Sequence, residues 1–124
     1  MTTIALLDNF EMPVFKFMNL ETLFDTGANK SVANFSDNMF KLIFGNKIKS
    51  QTPGEVSGFG GTSKGTDYVI SEIDISGVKL KDVTFFVPKQ PLKRFKFILA
   101  GTLLSKYPYE INMPEHAMTI KTDL

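Results

Sequence analysis

"TLFDTGANKSV", residues 22–32, decides how the rest of the chain is read. Thr22, Leu23 and Phe24 run as a strand into Asp25, and a Thr-Gly pair follows at once. A carboxylate at the end of a core strand is costly to hold there without partners. An ordinary turn is one reading, since Asp and Gly are common turn formers. The flanking residues favour another. Ala28 follows the glycine and Ser31-Val32 resume apolar character, so the strand presents its carboxylate on a tight loop and then continues. On this reading Gly27 lets the backbone turn and approach a ligand, and Thr26 supplies a hydroxyl that donates beneath the loop.

Outward from this loop, the chain reads as short strands broken by Pro, Gly and Asn. "VFKFM" and "ETLF" precede Asp25; "YVISEIDIS", "VTFFV", "FKFIL", "YEIN" and "MTIK" follow it. In "YVISEIDIS", Val69, Ser71, Ile73 and Ile75 fall on one face and Tyr68, Ile70, Glu72 and Asp74 on the other. Helical periodicity is confined to "SDNMFKLIFG", residues 36–45, with Ser36 as cap, Met39, Phe40, Ile43 and Phe44 on one side and Gly45 as stop. A second short helix is expected at "GTLLSK", residues 101–106. Many short, closely spaced strands predict an all-β fold, a small closed β-barrel with one or two short helices.

The 124 residues are enough for one domain and too few for two sizeable ones, so residues 1–124 are read as a single domain. Twelve Phe predict a core filled by aromatic rings. The formal charge is +1 and there is no basic stripe, so nucleic acid is not an expected partner. Cysteine is absent, which removes disulfides, thiolate metal sites and cysteine nucleophiles, and fits a reducing compartment. His116 is the only histidine and reads as a surface turn residue; no metal site and no serine-protease triad is apparent. The segment "MTTIALLDNFEMP" has neither a basic leader nor an apolar run long enough to span a membrane, so a soluble, cytoplasmic protein is expected without membrane partners.

"LFDTGANKSV" resembles the active-site loop of the retropepsin-like aspartic proteases. The resemblance extends further. "GFGGTSKGTDYVISEIDISG", residues 58–77, is similar to the flap hairpin of retroviral proteases and its return strand. "FILAGTLL", residues 97–104, is similar to the family's apolar segment that packs behind the catalytic loop. The three occur in family order and spacing over roughly residues 12 to 112. The glycine-rich stretch suits neither a phosphate loop, since Gly65 follows Lys64, nor a dinucleotide fingerprint. A plain hairpin with a flexible tip is its competing reading.

The resemblance implies a retropepsin-type barrel, a homodimer and hydrolysis of peptide or protein substrates without a cofactor. Asp25, Thr26 and Gly27 become the catalytic residues, and Thr26 of each chain interlocks with the other. Ala28, Asn29, Val32, Gly58, Phe59 and Gly60 become substrate-binding residues, the last three in a flap spanning about residues 54–66. Three features depart from the family. Ala100 stands where glycine is usual. Asn29 and Gly101 replace an acid–arginine pair found in some retroviral enzymes, so both charges are missing together. The tail "YPYEINMPEHAMTIKTDL" reads as two strands around a "PEHA" turn, more similar to cellular and bacterial members, and points to a dimer interface built differently from the viral one. The alternative expectation is a catalytically silent dimer that binds extended peptides.

Overall fold

The computed structural model describes residues 1–58, 61–92 and 95–122. Strand β3, Leu20–Asp25, buries Thr22 and Phe24 and leaves Leu23 and Asp25 half-buried, the period of two that a pleated strand imposes. It pairs antiparallel with β2, Val14–Phe17, across a two-residue turn in which Met18 and Asn19 have φ of 52° and 62°. That left-handed pair matches the right-handed twist of a tight hairpin.

Seven strands form one sheet in the order β2-β3-β8-β4-β7-β6-β5. Its other members are β4 (Ser31–Ala33), β5 (Ile48–Gly58), β6 (Gly61–Ile75), β7 (Val78–Pro88) and β8 (Phe97–Ala100). Strand β8 runs parallel to β3 and antiparallel to β4. It therefore lies between the two strands that flank the Asp-Thr-Gly loop. Strands β5 and β6 make one long hairpin, paired from Ile48↔Ile70 out to Gly58↔Gly61. Strands β6 and β7 pair from Gly65↔Pro88 to Ile75↔Val78.

The β6–β7 pair buries one face near its open end and the opposite face near its turn. Tyr68, Ile70, Val83, Phe85 and Val87 are buried on the first, and Ile73, Ile75, Val78 and Leu80 on the second. The change comes where Asp82 takes φ 54°. Both faces of "YVISEIDIS" are thus used, which alternation alone does not reveal.

Helix α1, Asp37–Phe44, begins at Ser36, whose Oγ accepts from the Met39 amide at 3.2 Å, and ends at Gly45 with φ 53°. Phe40 and Phe44 are buried, whereas Met39 is 47% exposed and so lies off the expected apolar side. Phe40 and Phe44 join Phe17, Phe35, Phe85, Phe97 and Tyr68 in a connected set of ring contacts with centroids 4.6–6.3 Å apart. Residues 101–106 form only a short 3₁₀ turn, Gly101–Leu104.

A second sheet joins β1 (Thr2–Ala5), β10 (Ala117–Ile120) and β9 (Tyr109–Asn112) in the order β1-β10-β9. The tail strands occur where "YEIN" and "MTIK" place them, and the first residues of the chain pair with the second of them. His116 lies in the intervening turn, exposed, with φ 50°. Tyr109 meets Phe24 edge-on at 5.2 Å, so this sheet touches the strand that carries Asp25. No helix among the described residues is long and apolar enough to cross a membrane.

Candidate active site

Asp25 ends β3 in register with Ala100 at the end of β8. The chain then loops over the end of β8 and re-enters the sheet as β4. Gly27 donates its amide to Asp25 Oδ1 at 3.0 Å, and Ala28 donates to the Asp25 carbonyl at 3.2 Å. The Gly27 bond is the carboxylate's sole hydrogen bond among the described residues, so it orients one of the two oxygens. Asp25 is half-buried, and Thr26 and Gly27 are exposed.

The loop is held from behind. The Ala100 amide donates to Ser31 Oγ at 3.0 Å in a buried contact, and Thr102 Oγ1 donates to the Asn29 carbonyl at 3.3 Å. A Cβ at Gly101 would lie 3.0 Å from the Thr26 carbonyl oxygen and 3.1 Å from Thr26 Cα. Glycine at 101 therefore lets the 3₁₀ turn press on the loop. The Ala100 methyl is accommodated in the core, at 1% exposure. Gly27 behaves otherwise than expected: its φ lies outside the left-handed region, and a Cβ there would meet only Asp25 Oδ1 at 3.6 Å. The turn itself does not require glycine, and no hydrogen bond from the Thr26 hydroxyl holds the loop among the described residues.

Asn29 is exposed at the loop's far side, Ala28 is half-buried, and Val32 is half-buried on β4 between Ile98 and Phe86. Gly58 pairs with Gly61 at the outer end of the hairpin. Phe59 and Gly60 lie outside the described residues. The structure thus gathers Asp25, Thr26, Gly27, Ala28 and Asn29 on one loop, with Val32 just beyond it.

Lys30, which the sequence does not single out, connects this loop to the hairpin. Its Nζ donates to Asp67 Oδ2 on β6 at 2.8 Å and to the Glu55 carbonyl on β5 at 3.3 Å. It also stands 5.7 Å from the centre of the Phe86 ring. Asp67 Oδ1 is buried and has no hydrogen-bond partner among the described residues. A Cβ at Gly54 would come within 2.5 Å of that oxygen, so a side chain there would dislodge the carboxylate from Lys30. Within "TGANKSV" the one signal for this contact is a charge among small and apolar residues; its partner is 37 positions away. Among the described residues, no three His, Cys, Asp or Glu side chains converge as a metal site would require.

No protein-family model and no curated protein matches the chain. Among solved structures it is similar to a retropepsin-like aspartic protease from Rickettsia conorii, with a TM-score of 0.60 and 19% identity over 96% of this chain and 88% of that one. At this identity the likeness carries the fold. Together with the strand order and the aromatic core, it defines an all-β fold of the retropepsin type.

Proposed function

We propose that the chain is an aspartic endopeptidase that acts as a homodimer, with residues 1–124 forming one retropepsin-like domain. The observation that carries this reading is the placement of Asp25. It ends a core strand on a loop that straddles β8, one oxygen is fixed by the Gly27 amide, and the next residues are tied to a long hairpin. One carboxylate is not enough. Peptide hydrolysis by aspartic chemistry needs an ionised carboxylate to take a proton from water and a protonated one to bond the scissile carbonyl. Two carboxyls sharing a site titrate apart for the reason established in aspartic proteases generally: like charges at that distance do not both ionise. The other Asp residues of the chain lack the Thr-Gly context, so the second carboxyl is Asp25 of a second copy on a two-fold axis.

Water then adds to the carbonyl carbon, the shared proton moves to the carbonyl oxygen, and collapse of the tetrahedral species passes a proton to the leaving amine. Substrate lies extended, as an added strand, between the loops and the hairpins. The β5–β6 hairpin serves as the flap, with Gly58, Phe59 and Gly60 over the substrate and Ala28, Asn29 and Val32 beneath it. Thr26 and Gly27, exposed in the single chain, suit contact with the second copy or the substrate.

A second reading, a silent dimer that binds extended peptides, draws on the terminal sheet. Strands β1, β9 and β10 pair within one chain, so a dimer interface made of exchanged termini would have to be replaced by another. Incubation of the purified protein and its Asp25→Asn variant with a diverse peptide library, across mildly acidic to neutral pH, tests both. Cuts made by the first and absent from the second support the endopeptidase. A dimer that makes no cuts at any pH supports the silent binder.

A further inference from the structure

The backbone on either side of Lys30 is held in place. Thr102 Oγ1 donates to the Asn29 carbonyl, and Ser31 Oγ accepts from the Ala100 amide in a buried contact. From that fixed base the side chain crosses to the β5–β6 hairpin, where its ammonium reaches both strands. It donates to Asp67 Oδ2 on β6 at 2.8 Å and to the Glu55 carbonyl on β5 at 3.3 Å. Asp67 stands opposite Phe86 in the β6–β7 register, and the same ammonium lies 5.7 Å from the centre of that buried ring. These contacts straddle the place where the hairpin leaves the rest of the sheet. Asp67 is still paired with β7, whose pairing with β6 ends at Gly65↔Pro88. Glu55, opposite Lys64, lies beyond that point, where the ladder consists of β5 and β6 alone. There the Lys89 amide ties β6 by donating to the Lys64 carbonyl at 3.1 Å, and Lys30 ties β5, the edge strand. The Asp67 carboxylate depends on this one ammonium, since its other oxygen has no partner among the described residues. Gly54 leaves it the room, because a Cβ there would stand 2.5 Å from that other oxygen.

We infer that Lys30 is a positioning residue for substrate. By clamping the root of the β5–β6 hairpin to the loop that carries Asp25, it sets the width of the groove in which an extended peptide binds. The inference rests on the endopeptidase reading, because the groove is the one that reading assigns to substrate. Lys30 itself touches no reacting atom. An extended peptide bonds to loop and hairpin along its length, in the bound state and in the transition state alike. A groove of the wrong width therefore weakens both equally, which raises KM and leaves kcat to Asp25. The size of the effect is bounded by what the clamp is worth. A partly exposed ion pair and one hydrogen bond to a carbonyl favour the clamped arrangement by about three- to tenfold, and affinity falls by no more than that when they are lost.

The test compares the full chain with its variants on a fluorogenic peptide built around the fastest-cut site of a peptide library. Lys30→Met should raise KM about three- to tenfold with kcat within about twofold, and Lys30→Arg, which keeps a charged donor, should restore KM. Gly54→Ala, whose methyl displaces the Asp67 carboxylate, should raise KM by the same factor. Combined with Lys30→Met it should add nothing further, because both changes break one contact. Lys30→Met with Asp67→Leu separates positioning from stability: it should regain melting temperature lost in Lys30→Met and keep the raised KM. A KM that recovers with the melting temperature, a loss confined to kcat, or factors that multiply when Lys30→Met and Gly54→Ala are combined would overturn the inference. Amide hydrogen exchange in the peptide-free chain keeps the two levels apart. Exchange at residues 55–57 should quicken equally in Lys30→Met, Gly54→Ala and their combination, with β1, β9 and β10 unchanged. Quickening across all strands would mean that Lys30 serves stability alone. If the wild-type chain makes no cuts, the endopeptidase reading fails and the substrate role falls with it, while the local exchange pattern leaves the clamp itself standing.

Discussion

Asp25→Asn removes the ionisable group and keeps an oxygen that accepts from the Gly27 amide, so the fold should survive while turnover falls by at least about 10²–10⁴-fold. Library cleavage with circular dichroism of both proteins separates the two effects. The glycines of the site make a sharper pair. Gly27→Ala meets only an ordinary contact inside its own chain and should change stability by no more than about 0.5 kcal/mol, yet abolish activity by obstructing the partner loop or the substrate. Gly101→Ala forces its methyl against the Thr26 backbone and should cost about 1–3 kcal/mol in urea unfolding. Away from the site, buried Tyr68 donates to Asp37 at 2.7 Å, and burial followed by that bond raises its pKa from 10.0 to about 12. The folded state favours the neutral phenol. This contribution is therefore complete below pH 10.0 and is lost as pH rises toward about 12. Melting temperatures between pH 9 and 12 should fall through this window, and Tyr68→Phe should flatten that part of the profile.

Between elements, the contact that matters most is the one Lys30 makes across β5 and β6. At 36% exposure its ion pair with Asp67 is worth no more than about 0.5–1 kcal/mol as a Coulombic pair. Removing the lysine alone is worse than removing both partners, because Asp67 already has one buried oxygen without a partner and its other oxygen would lose the ammonium it accepts from. Lys30→Met should cost about 1–3 kcal/mol and Lys30→Met with Asp67→Leu less, a difference that urea unfolding of the single and double variants measures. Hydrogen exchange at residues 54–57 and 64–67 should quicken in Lys30→Met and recover in Lys30→Arg. Such a result would mean that Lys30 ties the hairpin to the Asp25 loop near mid-length.

For the whole molecule, the proposal to test is that half of the active site belongs to a second copy. If Asp25 of both chains is needed, equal amounts of wild type and Asp25→Asn allowed to exchange should give about a quarter of the dimers active, not half. Specific activity should also fall on dilution as dimers separate. Linear loss of activity with added variant would mean that one chain suffices, which a lone carboxylate does not allow by this chemistry.

Much of this was legible in the residues. Strand β3, the loop after Asp25, the capped helix at Ser36 and the tail strands all rest on local signals: alternation, a cap, and turn residues within a few positions. The reach of Lys30 to Asp67, the close approach of Gly101 to Thr26 and the pairing of β1 with β10 were not legible. The sequence by itself determined which residues turn, alternate and carry a carboxylate, because backbone sterics and side-chain period act over neighbours. Only the tertiary structure decided which loop presses on which turn and which charge meets which. Those contacts join residues tens of positions apart, and their energy exists only once the sheet has brought them together.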